Sequence, residues 1–484
     1  MTLPDLKTLS SEKKDDLIVR LFDQVQTLTQ KVDALGAEIK DLKAKKSKNS
    51  RNSSKPPSSD GYKKPKPKSQ RNKSQKSPGG QPGHKGHTLE RVSNPDEIVT
   101  HRVKACANCE AELSFSTLTG YESRQLFDLP KIKINITEHR AEIHECPCCH
   151  AHPTADFPGD VTQPTQYGNG VRSLAAYFSH YQLVPFKRLQ ELFKDLFNIS
   201  LSQGTLNNNV ERCNEQLIPF EESAKAVLRE SEVVHFDESG IRVNKKLHWL
   251  HVASTDHLTY YTIHQKRGQE AMDDMGILPN FKGTAVHDHW KSYYGYDCYH
   301  ALCNAHHLRE LTFAYDEYQQ EWAGKLIGCL VEAKREVDTA RVEGKETLHD
   351  CRVSYYKRRY SRILREGIGE LPVLETTFKK KRGKRAQHKI KNLHDRLVDH
   401  KHEALSYLYD FEIPFDNNLA ERDVRMIKTK QKISGCFRSQ SGADRFALIR
   451  GYLSTVRKNG INVLDALSSA FAGMPFVPYI AKTG

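Results

Sequence analysis

The 484-residue sequence has no uninterrupted apolar run of about 18 residues, the length a helix needs to cross a bilayer, so no membrane span is expected. Its opening residues, MTLPDLKTLSSEKKDD, lack the apolar core of a secretory signal, and the expected location is cytoplasmic. In that compartment the eleven cysteines are not expected to form a disulfide framework; metal ligands or buried thiols are the readings that fit. Apolar residues are also scarce, at 37%. That supplies one large core with satellites, and leaves a polar remainder that does not fold by itself. At roughly 150 residues per domain the length suggests about three domains.

What the sequence has in excess is positive charge, a formal +14, and it is concentrated. Residues 43–87 hold 14 Lys and Arg against the single acid Asp60, a net +13, so the rest of the chain is close to neutral. This stretch is rich in Lys, Ser, Pro, Asn and Gln, cannot bury a core, and is expected to be an extended linker over 44–99. Fourteen cations on such an arm favour a nucleic-acid backbone through counterion release, against the alternative of a merely solubilising linker. A second cationic cluster, KKKRGKR at 379–385, is either a solvated loop or a further DNA-backbone contact.

Before the arm lies a heptad. Ile18, Val25, Val32 and Ile39 recur every seven residues, as do Leu21, Leu28, Leu35 and Leu42, offset by three. β-branched residues at a and Leu at d favour a parallel two-stranded coiled coil over 11–43, hence a homodimer or higher oligomer; the alternative is an amphipathic helix docked on its own core. The flanking e and g positions carry few charges, so strand orientation is weakly specified.

After the arm, residues 100–155 contain Cys106-Ala-Asn-Cys109 and Cys146-Pro-Cys-Cys149. Two C-x-x-C turns can set four thiolates around Zn2+ at about 2.3 Å. The expected ligands are Cys106, Cys109, Cys146 and Cys149, with Cys148 a rival for Cys149 and His144, His150 and His152 as further candidates. The 36 intervening residues are more than in short fingers, and KIKINIT among them alternates like a strand. Buried or surface thiols are the alternative.

Residues 160–230 read as helical. PFKRLQELFKDLF followed by a turn and an N-cap at Ser202 resembles a helix-turn-helix that can enter a DNA groove, although most helix pairs bind no DNA. From 231 the pattern changes to VVHF, LHWLHVAS and YYTIH, then a helix, the strand TAVHD, and a strand running into a helix at 299–315. This order predicts an α/β layered domain over 231–470. Helices dominate 312–412, and 471–484 reads as a tail.

Asp237 follows the apolar strand VVHF, Asp288 follows TAV and His287, and Glu421 lies in the first turns of a helix capped near Asp416. Two strand-end carboxylates and one helix carboxylate can converge at one sheet edge. Oxygen ligands of that kind suit Mg2+ or Mn2+, and a pair of such ions about 3.5–4 Å apart serves phosphoryl transfer. Glu238, Asp256, Asp273, Asp274 and Asp297 compete nearby, Asp416 is better read as a helix cap, and Arg425 stands where it can pair with Glu421.

These motifs resemble the insertion-sequence-66 family of bacterial DDE transposases, which have an N-terminal zipper and zinc module. The likeness runs from about residue 15 to about residue 470. NSSKPPSSDG at 52–61 and GGQPGHKGH at 79–87 match two stretches of the family's N-terminal region. HFDESGIRV at 235–243 and AVHDHWKSYYGY at 285–296 resemble its two Asp motifs, and FDNNLAERDVRMIK at 415–428 its Asp-Asn-Asn-x-x-Glu-Arg motif, the most specific of the three. The resemblance implies catalytic Asp237, Asp288 and Glu421. It also implies an RNase H-like mixed-sheet domain with a helical insertion in the 133-residue gap before Glu421.

CNAHHLREL at 303–311 resembles a further family block, which implies that His306 and Arg309 lie near the site; a core histidine and a surface arginine are the alternative. Trp290 and His307 depart from the family pattern at positions that ligate nothing. The implied protein is nucleoid-associated, uses Mg2+ or Mn2+ and Zn2+, and binds double-stranded DNA at element ends and target, with accessory proteins of the same element as further partners. The rival functions are a zinc-containing DNA-binding regulator without catalysis and an RNase H-like nuclease.

Overall fold

The computed structural model describes residues 10–53, 89–130, 132–372 and 387–479. Most of the basic arm, the 79–87 stretch and the 379–385 cluster lie outside them. The described residues divide into two units, one of 10–53, 158–193, 200–372 and 387–479, the other of 89–157 with 194–199.

The first unit begins with α1 (Ser11–Lys46), one unbroken helix through the heptad. The a and d residues Ile18 to Leu42 are each more than half exposed. Only its C-terminal end is packed: Ala44 is buried, and Asp41 accepts a hydrogen bond from the Tyr318 hydroxyl and lies 3.6 Å from both His388 and Lys389.

Among the described residues, four more α-helices precede the sheet: α2 (Asn169–Ala176), α3 (Phe186–Phe197), α4 (Gln203–Gln216) and α5 (Ile218–Arg229). Ser202 caps α4, its hydroxyl accepting the Thr205 N–H at 3.0 Å. The apolar stripe of α4, Leu206, Val210 and Cys213, is buried, and Val210 and Cys213 belong to the main core with Phe220 and Leu228 of α5. These helices share a core with the residues after 231 because their stripes need the sheet to cover them.

The sheet has five strands in the order β3-β2-β1-β4-β5. β1 (Val233–Val243), β2 (Lys246–Ser254) and β3 (Thr259–His264) form an antiparallel meander; β4 (Thr284–His287) and β5 (Tyr299–Leu302) add in parallel beside β1. The expected first strand ended after VVHF. It continues to Val243 because Ile241 and Val243 are buried and a two-residue turn returns the chain as β2. Asn244 and Lys245 have φ of 46° and 64°, the primed turn that suits a twisted hairpin. Asp237 is therefore within β1 rather than at its end. What stops just before it is the parallel pairing with β4, whose last matched pair is His235 and Val286.

The two sheet faces are covered differently. Val234, Phe236 and Ala285 pack with α5, α13 (Gln440–Lys458) and α14 (Val463–Phe471) in the main core. Ile241, Val243, Leu250 and Val252 pack on the other face with Ala420, Val424 and Ile427 of α12 (Asn418–Ser434). Between α6 (Gln269–Met275), which precedes β4, and α12 the chain makes an excursion. α7 (Asn304–Tyr318), α8 (Glu321–Val342), α9 (Asp350–Gly367), α10 (Lys389–Asp399) and α11 (Lys401–Ala404) bury Trp322, Leu326, Tyr356, Tyr360 and Leu397 in a core of their own. This is the helical insertion.

The second unit has no such core: none of residues 89–157 that are described is buried. KIKINIT is irregular over 132–137 rather than a strand, since no neighbouring strand pairs with it. Its ordered features are two matching turns. Cys106 N–H bonds the Ala111 carbonyl at 2.9 Å and Cys146 N–H that of Ala151 at 2.8 Å, with Glu110 and His150 in the same left-handed conformation. Among the described residues no helix is long and apolar enough to cross a membrane.

Candidate active site

Strand alternation sorts the acids. Odd-numbered residues of β1 face α12 and even-numbered ones face the main core, as the split of Ile241 and Val243 from Val234 and Phe236 requires. Asp237 is thus on the α12 face. Asp288 immediately follows the end of β4, close enough for its charge to act on Asp237. Glu421 lies on the stripe of α12 that contains Ala420 and Val424, which packs against β1 and β2.

One residue fixes this arrangement. Asn417, only 1% exposed, donates from its side-chain amide to the Phe236 carbonyl at 2.7 Å; its side-chain oxygen meets His235 Nδ1 at 2.7 Å, and its backbone N–H meets Cys303 Sγ at 3.2 Å. The start of α12 is thereby tied to β1 at the residue before Asp237 and to the start of α7. Asp416 accepts the Asn418 N–H at 3.1 Å, a capping bond of the kind expected, although the helix boundary falls at Asn417.

The acids are crowded. Burial raises the Asp237 carboxyl well above its ordinary range, and the negative charges of Glu238, Asp288 and Glu421 raise it further. Burial also raises Asp288, with its own loop N–H groups and Arg267 opposing. Yet the three carboxylates do not close to within 4.8 Å of one another. The group that does, among the described residues, is Cys303, His306 and Glu421.

His306 and Arg309 are one turn apart on α7 and both face Glu421: His306 Nδ1 is 3.7 Å and Arg309 Nη2 3.5 Å from its Oε1. Of the three predicted carboxylates, Glu421 is the one they face. Burial and then Arg309 hold His306 down to about 3, so it is neutral. Arg425 is exposed and is not the partner of Glu421 among the described residues. The helix turns it away, and Arg309 arrives from another element instead.

The competing acids have other occupations. Glu238, on the opposite face of β1 from Asp237, is buried and held by Arg267 at 2.5 and 2.9 Å and by the Tyr293 hydroxyl at 2.7 Å. Arg267 lies against the rings of Trp290 and Trp249, 4.1 and 4.9 Å from their centroids. Asp273 accepts from Tyr296, Asp274 pairs with His264, Asp297 with Lys282, and Asp256 is exposed.

Sequence reading missed three features. Besides Asn417, these are the half-buried Asp423–Lys458 pair at 2.9 Å, which locks α12 to α13, and a histidine cluster flanking Asp288. His287 and His300 are 3.1 Å apart, His289 and His307 3.5 Å, and His400 stacks edge-on to His289 at 4.5 Å. Burial keeps His289 down at about 3 and His287 and His307 well below the ordinary value, so these three are neutral. Only the density of His residues hinted at it.

The knuckle cysteines are only partly assembled. Backbone N–H groups of Asn108 and Cys109 lower the Cys106 thiol, and those of Cys149 and Cys148 lower Cys146. The two pairs are not within 4.8 Å of each other as a four-thiol group among the described residues. His144 and His150 pair instead with Glu142 at 3.1 Å and Glu145 at 2.6 Å.

A family model described as Transposase IS66 family matches residues 164–445, more than half of the chain, and one described as Family of unknown function (DUF6444) matches residues 1–90. No curated protein matches the chain.

The crowding and its tether should have opposite signatures in stability. Asn417→Ala strands the Phe236 carbonyl and His235 and should destabilise the fold by about 1–3 kcal/mol in chemical denaturation. Asp237→Asn should stabilise it. A carboxyl raised by folding gives stability that is complete below its ordinary value of 3.8 and lost as pH rises toward the raised value. The Asn variant, measured without divalent metal, should therefore melt higher than the parent at neutral pH, with the gain vanishing in acid.

Proposed function

The chain belongs to the Transposase IS66 family, and from that premise we propose that it binds the ends of its element and carries out phosphodiester hydrolysis and 3′-hydroxyl strand transfer with Asp237, Asp288 and Glu421. The observation that carries this reading is the crowding of buried Asp237 by the charges of Asp288 and Glu421. Carboxylates held together against their own repulsion, with Glu421 Oε1 buried and without a hydrogen-bond partner, fit a hard divalent cation. The strand order, with the meander antiparallel and β4 and β5 parallel beside β1, supports an RNase H-like domain.

Asp237, Asp288 and Glu421 would hold Mg2+ or Mn2+, which when bound supplies activation of the attacking oxygen and charge stabilisation at phosphorus. The protein's own groups do the rest. Asn417 keeps Glu421 in register with Asp237, and Arg267, locked by Glu238 and two tryptophans, opposes the rise in the Asp288 carboxyl. Arg309 offers a positive charge at the same edge, where a DNA phosphate would lie.

Outside this domain, the exposed heptad of α1 fits a parallel dimer that pairs two element ends. The basic arm supplies sequence-independent phosphate contacts. The second unit, which buries nothing, fits a module that depends on Zn2+ at Cys106, Cys109, Cys146 and Cys149 rather than on a core.

Asp237→Asn should reduce Mg2+-dependent nicking and joining of terminal-repeat DNA to background while terminal-repeat binding persists; retained cleavage would sink the triad. Binding without nicking in the parent would favour the regulator, and cleavage without joining the nuclease. Deleting residues 43–87 should weaken DNA binding and flatten its salt dependence, since every phosphate the arm no longer neutralises takes about 0.9 off the log–log slope.

A further inference from the structure

Cys303, His306 and Glu421 bring a sulfur, an imidazole nitrogen and a carboxylate oxygen to within 4.8 Å of one another. We propose that this group is a second metal site, for a thiophilic divalent cation such as Zn2+, that shares Glu421 with the hard-cation site at Asp237 and Asp288.

Three observations converge on it. The first is local geometry. Cys303 is the N-cap of α7 and His306 its third residue, so one turn of backbone points both side chains the same way. Burial raises the Cys303 thiol, so it gives up its proton only to a bound cation. The second is unmet valence. His306 Nδ1 and Glu421 Oε1 are both buried and both without a hydrogen-bond partner, 3.7 Å apart. A neutral imidazole and a carboxylate oxygen that face each other without a hydrogen bond are a pair that a cation can bridge. The third is the surrounding shell. The Asn417 N–H is directed at Cys303 Sγ at 3.2 Å, the outer hydrogen bond that orients a thiolate ligand.

The charges close as well. Binding releases the thiol proton to solvent and leaves one thiolate, one carboxylate and a divalent cation, which together are neutral in a buried setting. Three protein ligands leave a fourth tetrahedral position open. Sulfur and imidazole select Zn2+ over Mg2+, while the all-oxygen Asp pair has the reverse preference. Arg309, 3.5 Å from Glu421 and a quarter exposed, can turn to solvent when a cation takes the carboxylate.

The site itself does not depend on the transposase reading. One consequence does: a Zn2+ ion that engages Glu421 withdraws it from the Asp pair, so Zn2+ opposes Mg2+-supported cleavage.

The test uses the full chain with Cys106, Cys109, Cys146, Cys148 and Cys149 all replaced by Ser, so that the knuckles contribute no signal. Titrated with Co2+, this protein should develop a saturable thiolate-to-cobalt absorption band. Cys303→Ser should lose the band, and His306→Asn, which keeps the thiol, should weaken binding; circular dichroism verifies that each variant is folded. No cobalt–thiolate band in the five-Ser protein, or a band that persists in folded Cys303→Ser, would overturn the site, and Mg2+-supported cleavage by the parent would then leave the transposase reading standing. Cobalt bound through Cys303 in a protein whose parent never cleaves would support the site and overturn the transposase reading alone.

Discussion

Asn417 spends its side chain on β1 and its backbone N–H on the start of α7, and three elements from distant parts of the sequence meet on those bonds. The constraint it answers is electrostatic. Asp237, Asp288 and Glu421 repel one another in a half-buried place, and burial compounds the cost. Left to packing alone, α12 could slide or turn and relieve the repulsion. A buried amide bonded at both ends prevents this, because moving it would strand a carbonyl and an imidazole without water to replace it. The Asp423–Lys458 pair, with Ser254 and Thr259 also donating to Asp423, fixes the next turn of the same helix.

The insertion is a second solution to the same problem. It leaves the sheet after β5 and returns at α12, with its own core of Trp322, Tyr356 and Tyr360. Its first helix supplies His306 and Arg309 to Glu421, and Arg396 of α10 pairs with Glu310 of α7 at 2.7 Å. The C-terminal end of α1 rests on this same body through Asp41, Tyr318 and Lys389. The helix that carries the heptad is thus seated on the element that carries two groups of the site. The contact joins elements that more than two hundred and fifty residues of sequence separate.

The second unit has the opposite economy. It has turns but no interior, and its large apolar residues, Phe115 and Ile136 among them, are exposed. Two equivalent turns with left-handed residues at Glu110 and His150 show that the C-x-x-C segments are locally formed. A C-x-x-C turn closes through bonds within a few residues, whereas joining two such turns needs something to hold them, and this unit has no buried surface to do so.

The heptad was fully legible, because a period of seven belongs to one helix and needs no neighbour. So were the Ser202 cap and the α/β order, which are local patterns of backbone and side chain. The sequence also located the insertion, from the long gap before Glu421. It misjudged the end of β1, because a strand's length is set by what pairs with it: β2 extends it past Asp237 through Val243. It offered Arg425 to Glu421, four residues along one helix, where the folded chain uses Arg309 from 112 residues away. Cys303, Asn417, Glu238 with Arg267, and the five histidines had no periodicity to reveal them. Their roles come from burial and from partners on other elements. By itself the sequence determined the heptad helix, the Ser202 cap and the α/β order of elements; only tertiary structure decided which charges face each other, because desolvation and contact between remote segments exist only once the sheet is covered.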